Sequence, residues 1–287
     1  MATALSSGCL YLIPTPLGSD QDPARTLPPA TLEVIARLDY FVAENARSAR
    51  AVLKRLPLAT TLQQLEISEL SEHTREADLP ALLAPVLAGR DAGVLSEAGC
   101  PAVADPGSSL VALAHAHGVR VVPLVGPSSL LLALMASGLD GQRFAFAGYV
   151  PVAPAERAQR LRALERRSAV EHETEILIET PYRVQALFDT ALESLAPGTR
   201  LGLASDLTLQ SEQTRSMTVA RWRELRPTLA ATPTVFTLLA EPARAASNWA
   251  WRTPSAPSTA WRATCSRPKT SSTSRRTRTS PSDSPRK

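Results

Sequence analysis

The chain has 287 residues, 44% of them hydrophobic, which is enough for two domains of ordinary size with sizeable cores. No apolar run approaches the ~20 residues that cross a bilayer, and the N-terminus shows neither a basic leader nor a cleavage pattern, so membrane and secretory classes are disfavoured and a cytoplasmic protein is expected. The formal charge of +4 hides an asymmetry: ten of the 31 basic residues and one of the 27 acidic ones fall in 243–287, so the body before it is −5 and lacks the global charge of a nucleic-acid binder.

In chain order the body alternates strand and helix signals. Leu10–Ile13 reads as a short buried strand and Pro29–Arg37 as a helix. Tyr40–Ala43 is a strand, Ala46–Arg55 a helix, Asp78–Ala88 a helix with leucines at helical spacing, and Ala92–Leu95 a strand. Ser108–His117 is a helix that Gly118 terminates, and Val119–Val125 a strand. An apolar helix opened by Pro127-Ser128-Ser129 runs to Ser137. The second half repeats the style. Strands are expected at Ala145–Gly148, Glu175–Glu179, Arg200–Ser205 and Val235–Ala240. Helices are expected at Ala155–Arg167, Val184–Leu195 and Ala220–Leu229. The pattern predicts an α/β protein of two α/β domains, 1–122 and 123–242. A low-complexity basic tail, 243–287, is too poor in apolar periodicity to order itself, although Trp249, Trp251 and Trp261 lie in it.

Open α/β sheets bind ligands at the carboxyl ends of their strands. Four loops there carry unusual residues: Pro14–Gly18, Ser96–Pro101, Gly126–Ser129 and Ser205–Thr208. The first poses a question, because a phosphate site needs bare N–H groups and proline offers none. No GxGxxG or GxxxxGK[ST] is present, which disfavours the usual dinucleotide and NTP enzymes. Cys9, Cys100 and Cys265 lack CxxC spacing and the four histidines lack ligand spacing, so no metal site is expected. Gly99 permits close backbone approach, and Ser128 or Ser129 either caps a helix or helps its N-terminus hold a carboxylate.

The motifs LYLIPTPLG, LDYFVAENARSARAVLKRL, VLSEAGCPAVADPG, VRVVPLVGPSSLLLALMASGL, FAFAGYVP and ETPYR occur in that order. Together they resemble the tetrapyrrole methylase superfamily of S-adenosylmethionine (SAM)-dependent methyltransferases, and within it the ribosomal RNA small subunit methyltransferase I branch. The resemblance spans about Leu10 to Glu241. It implies two α/β domains with SAM in the cleft between them, and a cofactor without phosphate answers the question of the Pro-Thr-Pro loop. It implies cofactor contacts from Pro14, Thr15 and Pro16, from Glu97, Ala98, Gly99 and Cys100, from Gly126, Pro127, Ser128 and Ser129, and from Ala204, Thr232 and Pro233.

If the acceptor is a ribose hydroxyl of ribosomal RNA, something must take its proton, and Glu44, Glu97 and Asp206 are the carboxylates that the motifs place there. Glu44 has an alternative as an ion pair with Arg47 or a cap. Arg47 and Arg183 are expected to contact the acceptor, Arg183 alternatively serving as an interdomain ion pair. A homodimer is expected. Where the ribosomal branch has Ala-Glu-Asp-Thr-Arg, Ser-Asp-Ala-Gly and Ala-Arg-Glu-Leu-Thr, this chain has AENAR, SEAG and ASDLT. A tetrapyrrole or other small-molecule acceptor, or a SAM-binding module without activity, therefore stays open. Arg157, Arg160, Arg162, Arg166 and Arg167 on one helix are the expected RNA patch.

Overall fold

The computed structural model describes residues 7–18 and 21–241; the expectations for the tail, its tryptophans and Cys265 lie outside them. Two five-stranded sheets organise the chain. The first contains β1 (Cys9–Ile13), β2 (Tyr40–Ala43), β3 (Glu66–Glu69), β4 (Ala92–Leu95) and β5 (Arg120–Pro123), in the order β3-β2-β4-β1-β5 and all parallel. Its inner strands are apolar on both faces because both faces are covered. Leu10, Val42 and Val94 point to α3 (Leu79–Leu87) and α4 (Gly107–Ala116). Tyr11, Ile13 and Phe41 point to α1 (Pro29–Ala36) and α2 (Ala46–Leu53). Each such large side chain contributes about 1.5–3 kcal/mol by leaving water.

The topology itself opens a crevice. β1 and β4 are neighbours, yet the helix after β1 packs on one face and the helix after β4 on the other. The loops leaving their carboxyl ends therefore diverge, the arrangement that holds ligands in open parallel sheets.

The second sheet is mixed. It consists of β6 (Phe144–Gly148), β7 (Thr174–Glu179), β8 (Arg200–Ser205), β9 (Gln213–Thr218) and β10 (Thr234–Leu239), in the order β6-β7-β10-β8-β9. β6 and β7 are parallel and the other pairings antiparallel. One face packs on α6 (Pro154–Glu171), α7 (Val184–Ser194) and α8 (Val219–Leu225), where Phe188 and Trp222 meet edge to face at 5.3 Å. The other face packs on α5 (Ser129–Ser137), through Ala133 and Leu134 against Ile176, Ala204 and Val235.

The expected elements all form, with shifted ends, and two further strands appear. β3 and β9 are edge strands, each with one neighbour, and their residues EISE and QTRSMT are half exposed or exposed. An edge strand without a buried face leaves no alternation of apolar and polar residues. The helix expected to reach Leu229 stops at Leu225, where Arg226 turns left-handed (φ 35°) ahead of Pro227.

Candidate active site

A cavity of about 360 Å³ opens where the carboxyl ends of the first sheet face α5 and the ends of β7, β8 and β10. Of the residues expected at a site, Glu44, Glu97, Ala98, Gly99, Cys100, Ser128, Ser129, Ala204, Asp206 and Pro233 line it. Pro14, Thr15, Pro16, Gly126 and Pro127 stand behind its wall, and Thr232 lines a neighbouring cavity that shares Asp206.

The prolines work from behind through the residue between them. Thr15 donates its N–H to Gly99 O (2.9 Å) and accepts from Gly99 N (3.1 Å), an antiparallel bridge across the mouth of the crevice. Its hydroxyl reaches Ser96 O at 3.3 Å. Pro14 and Pro16 on either side fix that bridge rigidly and have no N–H groups to leave unpaired. Gly126 packs so closely on Pro14 that a Cβ there would stand 2.4 Å from the proline Cβ. Gly99 is left-handed (φ 77°), so the wall at this point is bare backbone.

The loop from Gly99 to Gly107 is held by a residue that sequence reading left out. Asp105 Oδ1 accepts from Ala102 N and from Gly107 N, both at 2.8 Å, which keeps Ala102 (φ 65°) and Ala104 (φ 61°) in the left-handed region. Each alanine there costs about 1–2 kcal/mol of local conformational energy. Asp206 (φ 51°) and Thr208 (φ 72°) do the same across the cleft. Backbone strain of this kind gathers at ligand sites. The two halves are latched nearby by Gln21, whose Nε2 donates to Thr208 O at 2.9 Å.

Five carboxylates line the cavity, Glu44, Glu97, Asp105, Glu179 and Asp206, and no lysine or arginine does among the described residues. Burial pushes the Glu44 carboxyl above the usual range, and Glu97, Asp105 and Glu72 add to the effect. Asp105 is raised by burial against the two N–H groups that lower it. Burial, then Glu179 and Glu44, raise the Tyr149 phenol, which stays neutral and able to donate.

Asn45, not Glu44, caps α2, accepting from Arg47 N (2.9 Å) and Ser48 N (3.0 Å). Arg47 is exposed at the rim and makes no ion pair among the described residues. Ser128 caps α5 by a long bond from Leu131 N, 3.5 Å, while also facing the cavity. Arg183 does not line the cavity. It pairs with the fully buried Glu179 side chain at 2.8 Å and donates to Val150 O at 2.9 Å, so the ion pair lies within the second half. Of the α6 arginines, Arg157 is buried against Thr190 Oγ1 (2.9 Å) and Arg167 pairs with Glu173 and Glu175, which leaves three for a patch. The helix lies on the face of the sheet opposite α5.

Residues fit for SAM are present on these surfaces. Carboxylates suit its sulfonium and ammonium, the N-terminus of α5 at Ser128-Ser129 suits its carboxylate, and Leu17, Leu130, Ile178 and Val235 offer apolar area for adenine. Strained backbone, an open parallel-sheet crevice and an acidic wall suit an enzyme that binds a cationic cofactor.

The model of the tetrapyrrole (corrin/porphyrin) methylase family matches residues 10–222, and the chain belongs to that family of SAM-dependent methyltransferases. Among relatives, it is 35% identical over 210 residues to the ribosomal RNA small subunit methyltransferase I of Mesorhizobium japonicum, covering 73% of this chain and 67% of that one. It is 31% identical over 216 residues to the protein of the same name from Pseudomonas aeruginosa, covering 75% and 72%. Its fold is similar to that of the methyltransferase CobJ, with a TM-score of 0.53 at 18% identity over 85% of this chain and 98% of the other. A conserved protein of Aeropyrum pernix K1 has a TM-score of 0.57 at 17% identity, covering 83% and 86%.

Proposed function

We propose that this methyltransferase acts on ribosomal RNA of the small subunit, at a ribose 2′-hydroxyl, in the cytoplasm. The observation that supports the acceptor most directly is its 31–35% identity to relatives that carry that name over about three-quarters of the chain. The cleft supports it by charge. A tetrapyrrole bearing several carboxylates needs cations in the cavity, and Glu44, Glu97, Asp105 and Asp206 line this one instead, beside the Arg183-paired Glu179. The base and ribose of a nucleotide are neutral and can face the cavity while its phosphates lie along the rim.

The bound cofactor supplies an electrophilic methyl group on a sulfonium. The chain's own residues align the acceptor and take its proton. Glu44, with its raised carboxyl, is a stronger base than an ordinary glutamate and stands on the cavity wall at the end of β2. With SAM bound, its methyl group would be the electrophile and its thioether the leaving group, and Glu44 would take the proton from the acceptor hydroxyl. Glu97, which accepts weakly from Ser48 Oγ (3.4 Å), and Asp206 keep the cavity negative and hold the cationic group in place.

The chain also offers an apolar face for a homodimer. Leu131 and Met135 on α5 and Phe144 and Phe146 on β6 are 39–78% exposed on the α5 side of the second sheet. Sedimentation at micromolar concentration is expected to give twice the chain mass, and Phe146→Asp to give the monomer.

The test of the acceptor is transfer of tritium from labelled SAM to deproteinised small-subunit ribosomal RNA and, separately, to uroporphyrinogen. Label in an alkali-resistant dinucleotide of the RNA is the expected result, because a 2′-O-methyl group blocks cleavage at its own ribose. Label in uroporphyrinogen alone, or in neither, would overturn the reading.

A further inference from the structure

The acidic cavity raises a problem for RNA that the first-half and second-half rims together answer. Phosphates are repelled by the four carboxylates that line the cavity besides the Arg183-paired Glu179, so the acceptor nucleotide must swing out of its stack and present base and ribose to the cavity with its phosphates along the rim. A nucleotide so extruded needs a neutral surface for its base and a cationic one for the adjoining backbone.

The chain is poor in aromatic residues, with four tyrosines in 287 positions, and two of the four are exposed at this mouth. Tyr149 lines the cavity and is 57% exposed; Tyr182 follows the cavity-lining Pro181 and is 79% exposed. Both loops are fixed by one side chain. Arg183, next to Tyr182, donates to Val150 O, next to Tyr149, and is itself held by buried Glu179. Bases stack on exposed aromatic rings irrespective of sequence.

On the other rim, α2 begins two residues after Glu44, capped by Asn45, and Ser48 in its first turn touches Glu97. Arg47, Arg50 and Lys54 recur at i, i+3 and i+7, so they share one face of that helix and its end. All three are exposed and none makes an ion pair among the described residues. Arg47 follows the cavity-lining Glu44 by three residues and adjoins Ser48, which touches cavity-lining Glu97, whereas the α6 arginines lie on the face of the second sheet opposite α5.

We propose that Tyr149 and Tyr182 form the stacking platform for the base of the acceptor nucleotide, and that Arg47, Arg50 and Lys54 track the phosphates beside it. The inference rests on the RNA reading above. Arg183 is a positioning residue for the platform.

The two parts separate by salt. The experiment measures the KM for deproteinised small-subunit ribosomal RNA, and RNA binding at several salt concentrations, for the parent and three variants. Tyr149→Ala with Tyr182→Ala should raise KM at least about fivefold and leave the salt slope unchanged, since stacking releases no counterions. Tyr149→Phe with Tyr182→Phe, which keeps both rings, should restore the KM for RNA to within about twofold of the parent's. Arg47→Ala, Arg50→Ala and Lys54→Ala together should flatten the slope of log K against log salt by about two, at roughly 0.7 for each single-strand phosphate contact. If the parent methylates RNA and the alanine pair has its KM, or the phenylalanine pair is as weak as the alanine pair, the platform is wrong. An unchanged slope in the triple variant removes the track. If the parent methylates no RNA, the acceptor reading falls and takes this inference with it.

Discussion

Replacing Gly126 by alanine tests how the Pro-Thr-Pro loop shapes the cleft from behind. The new methyl carbon would stand 2.4 Å from Pro14 Cβ, 2.8 Å from Pro14 Cγ and 3.0 Å from Leu27 Cδ2. Carbon atoms at rest are about 3.5–4.0 Å apart, so at least an ångström of movement is required. Pro14 has no rotamer to escape into, and its ring sits next to Thr15, whose two backbone bonds to Gly99 form the crevice bridge. Overpacking of this kind costs about 1–3 kcal/mol, which in a protein of this size lowers the Tm by roughly 2–12 °C. SAM affinity should fall as well, since Gly99 is part of the cavity wall. Gly141→Ala is the control: nothing lies within 4 Å of its added Cβ, and its Tm should stay within about a degree of the parent. Pro14→Gly removes both clashing ring atoms and should restore part of the loss when combined with Gly126→Ala, as a coupled pair does. Calorimetric melting with and without SAM measures all four proteins. A Gly126→Ala protein as stable as Gly141→Ala, or a double variant no better than the single one, would refute the reasoning.

Three further outcomes are expected. Glu44 ionises above the usual carboxylate range, and a bound cation favours its charged form, so SAM binding releases a proton there. SAM affinity should therefore rise with pH through the window just above that range and level off once Glu44 is charged; Glu44→Gln should flatten the rise to the part that Asp105 contributes, as read by calorimetry across pH. Arg183→Met leaves the fully buried Glu179 side chain without its cation and should cost about 3–5 kcal/mol in urea unfolding, with Glu179→Gln/Arg183→Met recovering part of it. Gly99→Val forces a β-branched residue to φ 77° and should lose SAM binding in equilibrium dialysis while the second half keeps its fold.

The parts of the fold that bury apolar residues were legible in the sequence. β1, β2 and β4 read as runs such as LYLI and YFVA because both of their faces are covered, and α5 was bounded by its serine cap and by Gly138 (φ 63°). β3 and β9 were not: like β5 and β6 they are edge strands, but EISE and QTRSMT lack the apolar residues of RVVP and FAFAG and take their order from the neighbour's backbone. The site loops were legible as loops and in family order, but not in their roles. Nothing local distinguishes Thr15, which braces the wall, from Ser128, which lies on it. Asp105 and Tyr149 were visible as ADPG and GYVP, yet their importance comes from what the fold brings opposite them. Arg183 reads as an acceptor contact or an interdomain ion pair, and its tie to Glu179 within the second half depends on a 3-10 turn at Pro181–Arg183 that folds it back on its own strand end.

The central claim is that the acidic cavity at the strand ends holds a cationic methyl donor. Isothermal titration of the purified protein with SAM, and then with S-adenosylhomocysteine, tests it most directly. One site per chain is predicted. The neutral sulfur of the product is expected to bind more weakly at low salt, with the difference shrinking as salt rises, because the carboxylates around Glu44, Glu97 and Asp206 act on the sulfonium charge. A folded protein that gives no heat with SAM, or a SAM affinity unchanged when Glu44, Glu97 and Asp206 are all replaced by their amides, would contradict it.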